Sequence, residues 1–195
     1  MNPSIIDTPL QDLLIVTPNR FGDDRGWLSE TWSRRALAEA GLKAEFVQDN
    51  HSYSASAGTL RGLHYQAPPH AQSKLVRCSR GSILDVAVDV RKGSPDFGKW
   101  HAIELSAANG RQLFVPEGFL HGFVTLEPHT EVQYKCSDYY APRYEGCVLW
   151  NSLAIDWGLS GAPILSAKDA VAPAFEHWTS PFVREPADAN LTVEA

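Results

Sequence analysis

The segment Ile83–Val90 constrains this chain more than any other. Leu84, Val86, Val88 and Val90 fill the even positions, and Asp85 and Asp89 stand among the odd ones. A period of two marks a β-strand with one apolar face. The preceding Ser79-Arg80-Gly81-Ser82 predicts a hairpin back to Leu75–Cys78. Similar short runs recur, separated by Gly, Pro, Asn and Asp. They are Leu13–Val16, Glu45–Asp49, Thr59–Gln66, His101–Leu105, Arg111–Val115, His121–Thr125, Glu131–Cys136 and Val148–Trp150. Strands this short and numerous predict an all-β sandwich or small barrel. Two short helices are expected beside it. Ser33 caps Arg34–Ala40, which Gly41 ends, and Ser166 caps Ala167-Lys168-Asp169-Ala170. A single domain is expected over 1–180. A poorly ordered tail is expected over 181–195, where Pro, Ala and acidic residues dominate.

Composition removes several classes of function. Seventeen Lys and Arg against 23 Asp and Glu give a formal charge of −6, the wrong sign for a nucleic-acid binder. No apolar run is long enough to span a bilayer, and the N-terminus lacks the pattern of a signal peptide. Cys78, Cys136 and Cys147 form no C-x-x-C and read as reduced thiols of a cytoplasmic protein. There is no G-x-G-x-x-G and no phosphate-binding G-x-x-x-x-G-K-[ST] loop. The seven histidines are scattered and show no metal-ligand spacing, so no metal is expected.

Two strands carry polar groups that a plain core rejects. One is Leu60-Arg61-Gly62-Leu63-His64-Tyr65-Gln66, followed by Lys74. The other is Phe119-Leu120-His121-Gly122-Phe123, followed by Tyr134. Individually, His64 reads as a satisfied interior histidine, Tyr134 as a core tyrosine, and Arg61 and Lys74 as solvated edge residues. Together they form a proton-transfer kit: an imidazole base, an ammonium for a developing oxyanion and a phenol acid. That kit suits removal of a proton α to a carbonyl.

These same blocks resemble the dTDP-4-dehydrorhamnose 3,5-epimerase family. So do Phe21-Gly22-Asp23-Asp24-Arg25-Gly26, Phe46-Val47-Gln48-Asp49-Asn50-His51-Ser52, Pro116-Glu117-Gly118-Phe119, Tyr139-Tyr140 and Ser166-Ala167-Lys168-Asp169-Ala170. The resemblance runs from about residue 5 to about residue 175. It implies a metal-free cupin-type jelly roll that needs no cofactor and forms a homodimer. It also implies action on dTDP-4-dehydro-6-deoxy-D-glucose, on the route to rhamnose in cell-surface polysaccharide. By resemblance, His64 is the base, Tyr134 the acid, Lys74 the partner of the enolate oxygen and Asp169 the carboxylate behind the histidine. Arg25, Glu30, Gln48, Asn50, Arg61, Lys74, His121, Glu145 and Lys168 are the implied substrate contacts, with Arg25 and Glu30 supplied by the partner subunit. Two rival readings stand beside this one: an epimerase of a single carbon, and a non-catalytic cupin that binds a sugar nucleotide.

Two points stay open in the sequence. Asp85 either orients His121 or faces solvent. Alternation sends Arg61 and His64 to opposite faces of their strand, unless Gly62 marks a bulge or Arg61 works from the sheet edge.

Overall fold

A computed structural model describes residues 2–184. The chain forms β1 (Ser4–Asp7), β2 (Leu14–Thr17), β3 (Phe21–Asp23), β4 (Gly26–Leu28), α1 (Arg34–Glu39), β5 (Gln48–Ser54) and β6 (Leu60–Gln66). It continues through β7 (Lys74–Arg80), β8 (Ser82–Asp89), β9 (Trp100–Ser106), β10 (Gln112–Val115), β11 (Phe119–Thr125), β12 (Thr130–Cys136), β13 (Glu145–Cys147) and α2 (Ala167–Ala170). A 3-10 turn follows at Phe175–His177. Two antiparallel sheets face each other, in the orders β1-β2-β10-β7-β12-β5 and β13-β6-β11-β8-β9, and β3-β4 is a separate hairpin. This is the expected all-β jelly roll. Both helices also form where expected. The Ser33 and Ser166 hydroxyls accept from Ala36 N and Asp169 N, and Gly41 takes φ +103°.

Strand β8 is buried on both faces, where alternation predicts one apolar face. Its even residues do face away from the barrel, but they are not at a solvent boundary. Val86, Val88 and Val90 join Leu60, Leu63, Leu120 and Val124 in a second core, sealed by Val148, Trp157 and Phe182 from the C-terminal third. The odd residues point between the sheets. Ile83 and Ala87 pack there against Val76, Leu113 and Val132. Asp85 and Asp89 are fully buried. Asp89 is held by Arg91 and Ser94, each at 2.7 Å.

Four further expectations are corrected. Leu75–Cys78 and Ile83–Val90 do not form a hairpin, because β7 pairs with β10 and β12 while β8 pairs with β11 and β9. Gly81, at φ +73°, turns the chain from one sheet to the other. The strand expected at Val148–Trp150 lies earlier, at Glu145–Cys147, where Gly146 accommodates the Tyr65 ring. A Cβ there would meet Tyr65 Cζ at 2.2 Å. The strand expected at Glu45–Asp49 is shifted to Gln48–Ser54, whose polar alternation disguised it. Within the expected tail, Phe182 is buried and Lys92 N donates to its carbonyl at 3.0 Å, so the packed domain reaches at least Arg184. The remainder of that tail lies outside the described residues.

The Arg61–His64 conflict is resolved by a bulge. His64 pairs with His121 and Arg61 with Phe123, so two residues of β6 oppose the single Gly122 of β11. The extra residue returns Arg61 to the face of His64, toward the interior. The Gly62–Leu63 peptide at this point is cis. Gly62 takes φ +140°, and a Cβ there would lie 2.6 Å from Gly122 Cα.

Two outcomes test this architecture. Gly62→Ala is expected to cost about 2–4 kcal/mol of stability, read as a lower urea midpoint at unchanged slope. An unchanged midpoint would mean that the strands do not need to approach so closely. Phe182→Ala is expected to cost about 3–5 kcal/mol, as for other buried phenylalanines. A negligible loss would make the C-terminal segment a passive appendage.

Candidate active site

The apolar core fills the half of the barrel near β2 and β9. The half near β5, β6, β12 and β13 holds a cavity of about 320 Å³. Its lining includes Arg61 and His64 from β6, Lys74 from β7, His121 from β11, Tyr134 from β12, Glu145 from β13, and Lys168 and Asp169 from α2. Strand alternation explains the convergence. Lys74 shares the inward face of β7 with Val76, and Tyr134 shares that of β12 with Val132. An adjoining recess brings in Gln48, Asn50, Cys136 and Tyr140.

His64 Nε2 is 2.6 Å from Asp169 Oδ1. The histidine is partly exposed to the cavity, and Asp169 is only 3% exposed. Asp169 is fixed at the start of α2, where its own N–H donates to Ser166 Oγ at 3.1 Å. Burial pushes its carboxyl up. The hydrogen bond and charge of His64, with help from Ser166 and the Gly62 backbone, outweigh burial and hold it below its usual value. A carboxylate in this position fixes which imidazole nitrogen faces the cavity.

Lys74 Nζ lies 5.9 Å from the centre of the Tyr134 ring. Desolvation pushes the ammonium below its ordinary pKa, and Cys136, Asp85 and Glu145 offset that only in part. Burial raises the Tyr134 phenol, so it keeps its proton at neutral pH. Beside His64, the buried His121 Nε2 sits 2.8 Å from Asp85 Oδ1. Asp85 therefore faces inward, and the solvent-facing alternative is corrected. Glu145 bridges Lys168 at 2.6 Å and accepts from the Tyr140 hydroxyl at 3.0 Å, tying β13 to α2 at the cavity wall.

Arg61 donates to Tyr53 O at 3.2 Å, while its buried Nε has no partner. Gln48 donates to Asn50 at 3.1 Å, and Asn50 donates to the Cys136 sulfur at 3.6 Å. Arg25 and Glu30 are not brought to the cavity by their own chain. Arg25 is exposed in the β3–β4 hairpin, 2.5 Å from Asp23, and Glu30 is exposed just after it. Among the described residues no cluster of three or more His, Cys, Asp or Glu is placed to hold a metal ion, and no helix is long and apolar enough to cross a membrane. Sequence reasoning missed Ser52, Phe123 and Ser166 as lining residues and Tyr140 as the partner of Glu145. For Ser52 and Phe123 the only signal was position on the inward face, which required the register; Ser166 and Tyr140 lie off the strands, where alternation gives no signal.

Known proteins share both this barrel and its sequence. Residues 7–177 match the family described as dTDP-4-dehydrorhamnose 3,5-epimerase. The enzyme of that name from Salmonella typhimurium is 51% identical over 175 residues, covering 88% of this chain and 95% of the relative. A crystal structure of the Bacillus anthracis epimerase with TDP and PPi bound superposes with a TM-score of 0.85 at 50% identity, over 88% of this chain and 98% of that one. The Legionella pneumophila enzyme in complex with dTDP-4-keto-L-rhamnose gives a TM-score of 0.89 at 42% identity, over 95% and 100% of the two chains. With the fold shared at this identity over nearly the whole domain, the chain belongs to the dTDP-4-dehydrorhamnose 3,5-epimerase family.

Proposed function

We propose that this chain epimerises dTDP-4-dehydro-6-deoxy-D-glucose at carbons 3 and 5, giving dTDP-4-dehydro-L-rhamnose. The observation that carries the reading is the His64–Asp169 pair opening on the same cavity as Lys74 and Tyr134. The 4-keto group acidifies the hydrogens on both neighbouring carbons. His64 removes a proton, and the electron pair moves onto the ketone oxygen as an enolate. Lys74 stabilises that charge in a desolvated site, where an ion pair is worth more than in water. Tyr134 then delivers a proton from the opposite face, and the centre is inverted. In the D-gluco chair the hydrogens on carbons 3 and 5 are both axial on one face. One base and one acid therefore serve both carbons while the ketone stays at Lys74.

The nucleotide half of the substrate needs cationic and polar contacts. Arg61 suits the diphosphate through its planar guanidinium. Gln48, Asn50, His121, Glu145 and Lys168 complete the polar lining. Arg25 and Glu30 belong to this set only in a homodimer, reaching the partner's cavity. The exposed Phe21, Trp27 and Leu28 of the same hairpin support that arrangement, since side chains of this size are usually covered. The product chemistry and the thiol state of Cys78, Cys136 and Cys147 fit a cytoplasmic enzyme.

Proton NMR of the substrate in deuterium oxide, with a reductase coupled to trap product, tests the reading. Deuterium is expected at both carbons together with trapped dTDP-L-rhamnose. Label at one carbon would make this a single-centre epimerase, and binding without exchange would leave a sugar-nucleotide carrier. His64→Ala is expected to abolish exchange at both carbons, and near-normal turnover would remove His64 as the base. Tyr134→Phe is expected to retain binding and lose about 10²–10⁴-fold in net inversion. Parental activity in that variant would exclude the phenol as the acid.

A further inference from the structure

Two histidine–carboxylate pairs stand side by side in this cavity, and the proposed reaction assigns the proton to only one of them. His64 and His121 are register partners on β6 and β11, which sets their Cβ atoms about 5 Å apart. Each ring gives Nε2 to a buried carboxylate, His64 to Asp169 at 2.6 Å and His121 to Asp85 at 2.8 Å. His121 lines the cavity, and its Nδ1 is neither bonded nor sealed from it.

Asp85 is poorly explained as a stabilising residue. It lies on the central strand β8, is fully buried, and has apolar register partners, Phe123 and Ile103. His121 is the only hydrogen-bond partner of its carboxylate among the described residues, and Oδ2 is buried with none. A carboxylate oxygen left unpaired out of water costs stability. A group kept at such a cost is expected to serve the site.

We propose that Asp85 is a positioning residue for the reaction, holding the His121 ring with Nε2–H inward and Nδ1 toward the sugar. The inference rests on the reading of His121 as a sugar contact. Without the carboxylate, the ring is free to flip or change tautomer, and the nitrogen facing the sugar is no longer fixed. Asp85 is also within electrostatic reach of Lys74, so the test must separate the two routes.

Nitrogen-15 NMR of the histidine rings reads the proposal directly. His121 Nε2 is expected to carry a proton in the wild type. Asp85→Asn is expected to shift that ring toward the Nδ1–H tautomer and leave His64 unchanged. The same variant is expected to lose about 10- to 100-fold in kcat/KM. The double variant with His121→Asn is expected to be no slower than His121→Asn alone. Additive losses, as from action through Lys74 or a loosened barrel, would overturn the proposal, and so would a wild-type His121 protonated only at Nδ1. Full activity in His121→Asn would remove His121 from the sugar site and the proposal with it. Full activity in Asp85→Asn beside a slow His121→Asn would overturn the positioning role alone. Asp85→Ser enters the same cycle if the asparagine variant does not fold.

Discussion

The close approach of β6 and β11 at Gly62 and Gly122 is the constraint on which the cavity depends. A Cβ on Gly62 would meet Gly122 Cα at 2.6 Å, and one on Gly122 would meet the Arg61 carbonyl oxygen at 2.9 Å. Neither position has room for a side chain. With two residues of β6 set against one of β11, Arg61 and His64 share the inward face. Regular pairing would send one of them into the outer apolar layer among Leu60, Leu63 and Trp157. A buried arginine or histidine there would lose its solvation with no partner in reach, at a cost of several kcal/mol. Site geometry and fold stability are thus set by the same backbone contact.

A second dependence follows from the two-sided burial of the β13-β6-β11-β8-β9 sheet. Its outer face is sealed by Val148, Trp157 and Phe182, so much of the apolar burial lies outside the barrel. The interior is thereby free to hold polar groups at half of its length. Asp85, Asp89, His121 and Lys74 all occupy inward positions that an ordinary sandwich would give to aliphatic side chains. The burial of the outer layer offsets the desolvation of these groups.

Most of the strands and both helix caps were legible in the sequence, because alternation and capping are local, whereas the short β1, β3 and β4 were not. So was the set of polar residues on β6, β7, β11 and β12, since each breaks an otherwise apolar pattern. What failed was any reading that needed to know what lies across the sheet. The valines of β8 marked an apolar face but not where it lies: it is the barrel's outer face, and a covering segment some 60 residues or more downstream supplies their partners. Asp85 looked equally like a surface residue for the same reason. The sequence pattern starts strand β5 three residues early and ends it too soon, because its alternate Gln48, Asn50 and Ser52 face a polar cavity instead of a core. Arg25 and Glu30 have no contact with the cavity of their own chain, and nothing in their local pattern distinguishes them from ordinary exposed hairpin residues.

The electrostatics of the cavity match the needs of the proposed reaction before any substrate arrives. Tyr134, raised by burial, holds the proton that an acid must give. Asp169, lowered by His64 despite its burial, stays ionised and keeps the base oriented. Lys74 is the unbalanced member. Its ammonium is desolvated beyond what Cys136, Asp85 and Glu145 repay, so its charged form is under-stabilised in the empty cavity. An anion developing on the ketone oxygen would supply the missing charge. A neutral ketone supplies only a dipole and gains less. The interaction therefore strengthens as the enolate forms, and this difference between ground and transition state is what lowers a barrier.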